Sequence, residues 1–312
     1  MEKVSLREAF GRALVELGRR RDDFVVFDAD VAGGTCTNLF REVFPERFFQ
    51  CGIAEQNMMS VAAGFSTVGV IPVVTTYAVF ASMRACEQAR NSIAYPRFNV
   101  KIAASHVGVD TGPDGPSHQC MEDVAVYRAI PGFTVLAPGD PAETEAAVEA
   151  MLDHDGPVYM RTGRSPFPPV PGHPPDFEIG RGKVIRDGSD ATVMATGVMV
   201  HRAWAAASML EEEGIGVRVV NMSTLKPIDE ELVVRCARET KGIVTAEDHT
   251  RLGGLGSAVA EVLALRGGAR LAMVAIDDRF AESGDPADLA RKYGLTHEHI
   301  AAKVRGLLEE RR

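Results

Sequence analysis

Residues 165–175 carry six prolines in eleven positions, and no other segment constrains the fold of this chain as strongly. Proline has no N–H and fixes φ, so such a run builds neither a helix interior nor a central strand. It reads as a stiff connector. The same rhythm appears on both sides of it. Upstream, β-rich runs at 24–27, 68–76, 100–105, 133–136 and 157–160 alternate with helical stretches. Downstream, runs at 191–195, 217–220, 242–245 and 271–275 alternate with helices at 200–213, 229–239 and 256–266, before two closing helices. Strands that alternate with helices imply βα units and parallel pairing. The predicted fold class is therefore α/β with two domains, each a mainly parallel sheet flanked by helices. The predicted boundaries are 1–165, a proline-rich linker at 166–178, and 179–312. A chain of 312 residues is long enough to give both domains a core.

Composition removes several classes of function. The net charge of −9, with both signs interspersed, argues against a nucleic-acid or anionic-membrane surface. No apolar run approaches the ~20 residues that span a bilayer. The amino terminus has no apolar signal core, which predicts a cytoplasmic protein. Cys36, Cys51, Cys86, Cys120 and Cys236 form no C-x-x-C pair and no metal-ligand spacing, so they read as reduced thiols, most of them core-fillers, and no metal site is predicted in this chain.

The residues able to carry chemistry gather upstream of the prolines. In Cys51-Gly-Ile-Ala-Glu-Gln-Asn-Met58, Gly52 is a fitting N-cap, which puts Glu55 at the third helical position. The free amides and helix dipole favour an ionised carboxylate there, whether it only caps the helix or also meets a ligand. Ser5 and Glu8 form a capping-box pattern ahead of Leu6, Phe10, Leu14 and Leu17 on one face, and Arg7 in that first turn is poorly placed unless an anion lies nearby. Residues 28–35 follow a strand, where ligands of open α/β sheets gather. Tyr77 and Phe80, at the start of a helix predicted to reach residue 94, either present aromatic faces to a flat heterocycle or simply pack. The loop 106–118 holds His106, Asp114 and His118, suited to binding hydroxyls and moving protons, or to an ordinary surface turn. Arg161 and Arg164 leave a strand end and fit either a phosphate or an interdomain salt bridge. The glycine-rich stretch 247–256 lacks G-x-G-x-x-G and reads as a tight turn.

Taken in order, Gly52-Ile-Ala-Glu-Gln-Asn-Met58, Thr76-Tyr-Ala-Val-Phe80, Arg84-Ala-Cys-Glu-Gln88, Asp114-Gly-Pro-Ser-His-Gln119 and Arg161-Thr-Gly-Arg164 closely resemble the C-terminal half of transketolase. That half comprises the pyrimidine-binding and C-terminal domains, and the resemblance covers the whole chain. No G-D-G…N diphosphate motif appears, so the chain resembles the second subunit of a split transketolase, expected to be inactive alone. The resemblance implies thiamine diphosphate with Mg2+ or Ca2+ held mainly by an N-terminal diphosphate-binding subunit, an α2β2 heterotetramer, and transfer of a two-carbon ketol unit between sugar phosphates of the pentose phosphate pathway. It implies that Glu55 pairs the cofactor's pyrimidine N1′ and that Tyr77 and Phe80 pack on that ring. Asp30 matches an acidic residue near the cofactor at the subunit interface. His106, Asp114 and His118 match donor-contacting residues, with His118 first for proton transfer, and Arg7 and Arg164 match phosphate-binding arginines. The chain departs from the family where glycines and Thr35 replace a substrate-contacting serine, at Met83, and by one residue inserted before Arg84, so its sugar preference is open. Three other readings stay open at this level: the β component of a 2-oxo acid dehydrogenase, a relative of deoxyxylulose-phosphate synthase, and a non-catalytic partner subunit.

Overall fold

The computed structural model describes residues 3–309, so the outermost ends of both assigned segments, residues 1–2 and 310–312, lie outside the described residues. The described chain forms twelve strands in two sheets. In chain order these are β1 (Phe24–Asp28), β2 (Phe48–Gln50), β3 (Ile71–Tyr77), β4 (Lys101–Ser105), β5 (Thr134–Leu136), β6 (Val158–Thr162), β7 (Lys183–Arg186), β8 (Ala191–Ala195), β9 (Val217–Asn221), β10 (Thr224–Lys226), β11 (Ile243–Thr250) and β12 (Leu271–Ile276). The first sheet runs β10-β5-β6-β4-β3-β1-β2 and the second β12-β11-β8-β9-β7. Only the pairs β10–β5 and β7–β9 are antiparallel. The predicted fold class, two mainly parallel sheets flanked by helices, is what forms.

The central strands are buried on both faces, which is why they read as continuous apolar runs and not as alternations. Phe24, Val26, Val73 and Met160 pack against Phe10, Leu14 and Leu17 of the Leu6–Arg20 helix. On the other face Phe27, Val74, Ile102 and Tyr159 pack against Met58, Met59 and Ala62 of the Glu55–Ser66 helix. The chain moves from β1 outward to β2 and then returns to place β3 on the opposite flank of β1. That reversal opens a crevice at the carboxyl ends of β1 and β3, the usual ligand position in such sheets.

Three local expectations change. The helix carrying Glu55 begins at Glu55 itself, with Ala54 as N-cap and no side-chain cap, so Gly52 instead lies in a turn with φ +67°. The first sheet recruits β10 from beyond the prolines, a short strand that the sequence reading omits. Its hydrophobic core likewise takes in Met222, Leu225, Leu232 and Val233 from the second half. The proline segment is itself docked: Phe167 and Val4 exchange backbone hydrogen bonds at 3.2 and 3.3 Å, and Val170 N–H donates to Asp140 Oδ2. Among the described residues no helix is long and apolar enough to cross a membrane.

Candidate active site

The predicted residues arrive from separate loops at one end of the first sheet. Tyr77 closes β3, and Phe80 opens a π-helical segment, Phe80–Arg84, whose wide turn holds one residue more than an α-turn. His106 follows β4 directly with φ +60°, a strained conformation for a non-glycine residue of the kind that collects at functional sites. Its ring lies 3.8 Å from that of Tyr77 in a stacked arrangement. His118 meets Phe80 edge-on at 5.4 Å and Tyr77 at 6.2 Å. The two histidines thus flank one aromatic platform.

Polar contacts extend the cluster at both ends. Asp114 Oδ2 lies 3.9 Å from His106 Nε2, and Asp114 Oδ1 lies 3.3 Å from Arg164 Nη1. Arg164 and Arg7 line a cleft of about 440 Å3 with Pro113, Ser165 and, from the second half, Asp285 and Pro286. Arg7 Nη1 donates to the Gly34 carbonyl at 2.9 Å, and its Nε is buried without a hydrogen-bond partner among the described residues. At the other end Glu55 is buried, and both its oxygens accept from Arg84 Nη1 at 3.0 and 2.8 Å. The Arg84 guanidinium carbon sits 4.4 Å from the centroid of the Phe80 ring. An unbroken run of contacts therefore leads from Glu55 through Arg84, Phe80, Tyr77, His106 and Asp114 to Arg164.

Burial decides what His106 can do. Desolvation, helped by the nearby cations Arg7 and Arg164, pushes its pKa from 6.5 down to about 3. A neutral ring offers one donor and one acceptor: Nδ1 pairs with Ser105 Oγ at 2.9 Å, and Nε2 faces Asp114. His118 is half-buried, with Nδ1 paired to Ser117 Oγ at 2.9 Å and, among the described residues, no hydrogen bond at Nε2.

Other predicted residues lie elsewhere or do other work. Asp30 is exposed on the loop after β1 with φ +65°, and among the described residues its side chain makes no hydrogen bond or ion pair. Arg161 is buried and fork-bonded to Asp123 of its own half, so its salt bridge is not the expected interdomain one; only its hydrogen bond to the Asp248 carbonyl crosses to the second half, and its guanidinium is engaged and not free for a phosphate. The 247–256 stretch is a turn only over residues 251–254: 247–250 end β11 and a helix starts at Leu255, and the Glu247 carboxylate accepts from Leu255 and Gly256 N–H at 2.7 and 2.8 Å. The anion position at that helix start is thus filled by the protein itself. Thr35 spends its hydroxyl on Thr37 at 2.8 Å, and Gly34 has no room for a side chain, since a Cβ there would lie 2.3 Å from the Tyr77 hydroxyl.

The sequence reading assigned no role to Arg84 or Asp248. Arg84 lies four residues after Phe80, a spacing that puts it on the same helical face, so that signal was present. Asp248 lies in the second half and offered none. Both of its oxygens accept from the loop's Val109 and Asp110 N–H at 3.0 and 3.1 Å.

Fold and site together define a two-sheet α/β protein with an aromatic, imidazole and arginine cleft at the carboxyl ends of its first sheet. Residues 2–169 match the family described as transketolase, pyrimidine binding domain, and residues 180–300 match transketolase, C-terminal domain. A Methanocaldococcus jannaschii protein provisionally named a transketolase C-terminal section is 44% identical over 96% of this chain and 95% of its own length. The 6-deoxy-6-sulfo-D-fructose transketolase subunit SqwH of a Clostridium species is 39% identical, covering 100% of this chain and 97% of that one. A solved split-gene transketolase, described as an inactive β4 tetramer, superposes with a TM-score of 0.92 at 51% identity, covering 99% of this chain and 100% of that one. The chain belongs to the transketolase family, whose members are transferases. Its similarity is to the C-terminal portion of a transketolase divided between chains, which favours that reading over the dehydrogenase and synthase alternatives.

Proposed function

We propose that this chain supplies the pyrimidine side of a thiamine-diphosphate site in a transketolase that moves a two-carbon ketol unit between sugar phosphates. The observation that carries the proposal is the continuous run from the buried Glu55 carboxylate to the Arg7–Arg164 cleft. The residues fit the cofactor's aminopyrimidine: a buried carboxylate for a ring nitrogen, and the half-exposed Phe80 and Tyr77 rings for stacking. Bound thiamine diphosphate would supply the electron sink for breaking and making a carbon–carbon bond. Glu55 would hold the pyrimidine by its ring nitrogen. His106, held neutral, would hydrogen-bond the donor's oxygens with Asp114, and His118 would exchange a proton at Nε2. Arg7, with its unsatisfied buried Nε, and Arg164 would hold the anionic end of the sugar. Asp30 would lie at the interface with the cofactor-bearing partner.

The partner, in this proposal, is an N-terminal transketolase subunit that binds the diphosphate and its Mg2+ or Ca2+, assembling as an α2β2 heterotetramer in the cytoplasm. Residues 1–165 would form the pyrimidine domain, 166–178 the linker and 179–312 the C-terminal domain. The description of a split-gene relative as an inactive β4 tetramer is in keeping with partner dependence. Pentose phosphates are the first substrates to test. The name of the Clostridium relative points to a sulfonated sugar, and the same two arginines suit a sulfonate as well as a phosphate.

The test mixes the chain with its partner and assays ketol transfer from xylulose 5-phosphate to ribose 5-phosphate. Activity should require both chains, and Glu55→Gln should lower it by about 100-fold or more while assembly persists. Full activity of this chain alone would sink the split-subunit proposal. Turnover of pyruvate with an electron acceptor, and none of ketose phosphates, would favour a dehydrogenase component.

A further inference from the structure

We infer that Arg84 is a placeholder that occupies the pyrimidine half-site and must leave before the heterocycle can enter. The inference rests on the assignment of Glu55 and Phe80 to the pyrimidine, and it adds an obstacle built into the chain. A flat heterocycle bound there has two needs: a hydrogen bond to the Glu55 carboxylate and a stacking face on Phe80. The Arg84 guanidinium meets both. Its Nη1 donates to Glu55 Oε1 and Oε2 together, at 3.0 and 2.8 Å, and its central carbon stands 4.4 Å from the Phe80 centroid. A planar cation with N–H groups at its rim thus takes the shape of the ring it precedes, and the donor chemistry of that ring when the nitrogen facing Glu55 carries a proton.

The geometry also shows how the site can open. Glu55 is fixed, with 1% of its side chain exposed, whereas 45% of the Arg84 side chain is exposed. Among the described residues Arg84 makes no hydrogen bond except to Glu55, so only that carboxylate and the Phe80 ring hold its head. It is the last residue of the π-helical segment Phe80–Arg84, whose wide turn sets its position relative to Phe80. A buried carboxylate with no counter-charge is costly, so a chain awaiting its ligand gains from an internal partner. The ligand then has to displace that partner, which lowers its apparent affinity for the closed form. Arg84 therefore keeps the half-site closed and its carboxylate satisfied until a competing donor arrives.

The probe is thiamine, which carries the aminopyrimidine without the diphosphate. Its binding to the 312-residue chain would be followed by ligand-observed NMR on the pyrimidine methyl and ring protons. Arg84→Met removes the donor but keeps an apolar side chain over Phe80's helix, and it should tighten thiamine binding by about fivefold or more. Arg84→Lys, which keeps the charge but loses the planar stack, should fall between the two. Circular dichroism and thermal unfolding would establish that each variant is folded. If Arg84→Met unfolds, the lysine variant alone decides: tighter binding supports the placeholder, and equal or weaker binding overturns it. Weaker binding to a folded Arg84→Met would make Arg84 a ligand contact and end the inference, as would unchanged binding. Binding by wild type that survives Glu55→Gln would instead overturn the pyrimidine-site assignment beneath it. No binding by any variant would overturn both.

Discussion

His106 shows how burial, more than residue type, sets chemistry. An exposed imidazole titrates near neutrality and is the usual choice for proton transfer. Here desolvation holds the ring neutral with a pKa of about 3; in the proposed function it would therefore orient hydroxyls and leave proton exchange to the half-buried His118. The same shift has a consequence for stability. Between pH 6.5 and about 3 the unfolded chain binds a proton at this residue that the folded chain does not. Stability therefore falls as the pH drops through that window, by up to about 1.4 kcal/mol per pH unit, and the residue contributes no slope above it. His106→Gln should flatten this acid limb, as denaturant unfolding at a series of pH values would show. An acid limb of equal slope in the variant would mean that His106 is not the responsible group.

Among the elements, the loop 106–118 depends on a pair of carboxylates that cross between segments. Asp248, at the end of β11, accepts from the loop's N–H groups, while the loop's own Asp110 accepts from Arg164 and Ser165 N–H, both at 2.8 Å. Gly108 has φ +62°, and a Cβ there would fall 2.2 Å from the Asp248 carboxyl carbon, so this close approach requires glycine. Asp248→Ala would strand two buried donors and should cost about 2 kcal/mol or more, read from the denaturant midpoint. Asp248→Asn, which keeps one acceptor, should lose less. Equal losses for the two substitutions would mean that volume, and not the hydrogen bonds, sets the position of this loop. The elements also show what local pattern can resolve. The capping residue Ser5 acts as its position suggests, accepting from Glu8 N–H, because a cap is satisfied within three residues. The Glu55 helix starts two residues later than a Gly52 cap predicts, because Gly52 at φ +67° and Ala54 at φ −146° both lie outside the helical region.

At the scale of the whole molecule, the proline segment divides the rhythm of the chain more cleanly than it divides the structure. β10 extends the first sheet, and residues 222–233 share its core. The described chain should accordingly unfold in one calorimetric transition, with calorimetric and van't Hoff enthalpies in agreement. Two separated transitions would show that the shared strand and core do not couple the halves. A fragment ending at residue 178 would lose β10 and uncover Val135 and Tyr127, so it should bind hydrophobic dyes and unfold without a sharp transition.

The sequence already carried the alternation of strands and helices, the docking faces of the helices and, as candidates, the residues Glu55, Tyr77, Phe80, His106, Asp114, His118, Arg7 and Arg164 that the fold brings to one end of its first sheet. Those features are readable because periodicity, capping and strand-end loops are local, and because a set of motifs in one order is specific. Tertiary structure alone decided the pairing of Glu55 with Arg84, the neutral state of His106, the diversion of Arg161 to Asp123 and the hold of Asp248 on the site loop. Each of these depends on burial or on contact between residues far apart in the chain. Neither composition nor spacing records which charges lose their water and which partner reaches them first.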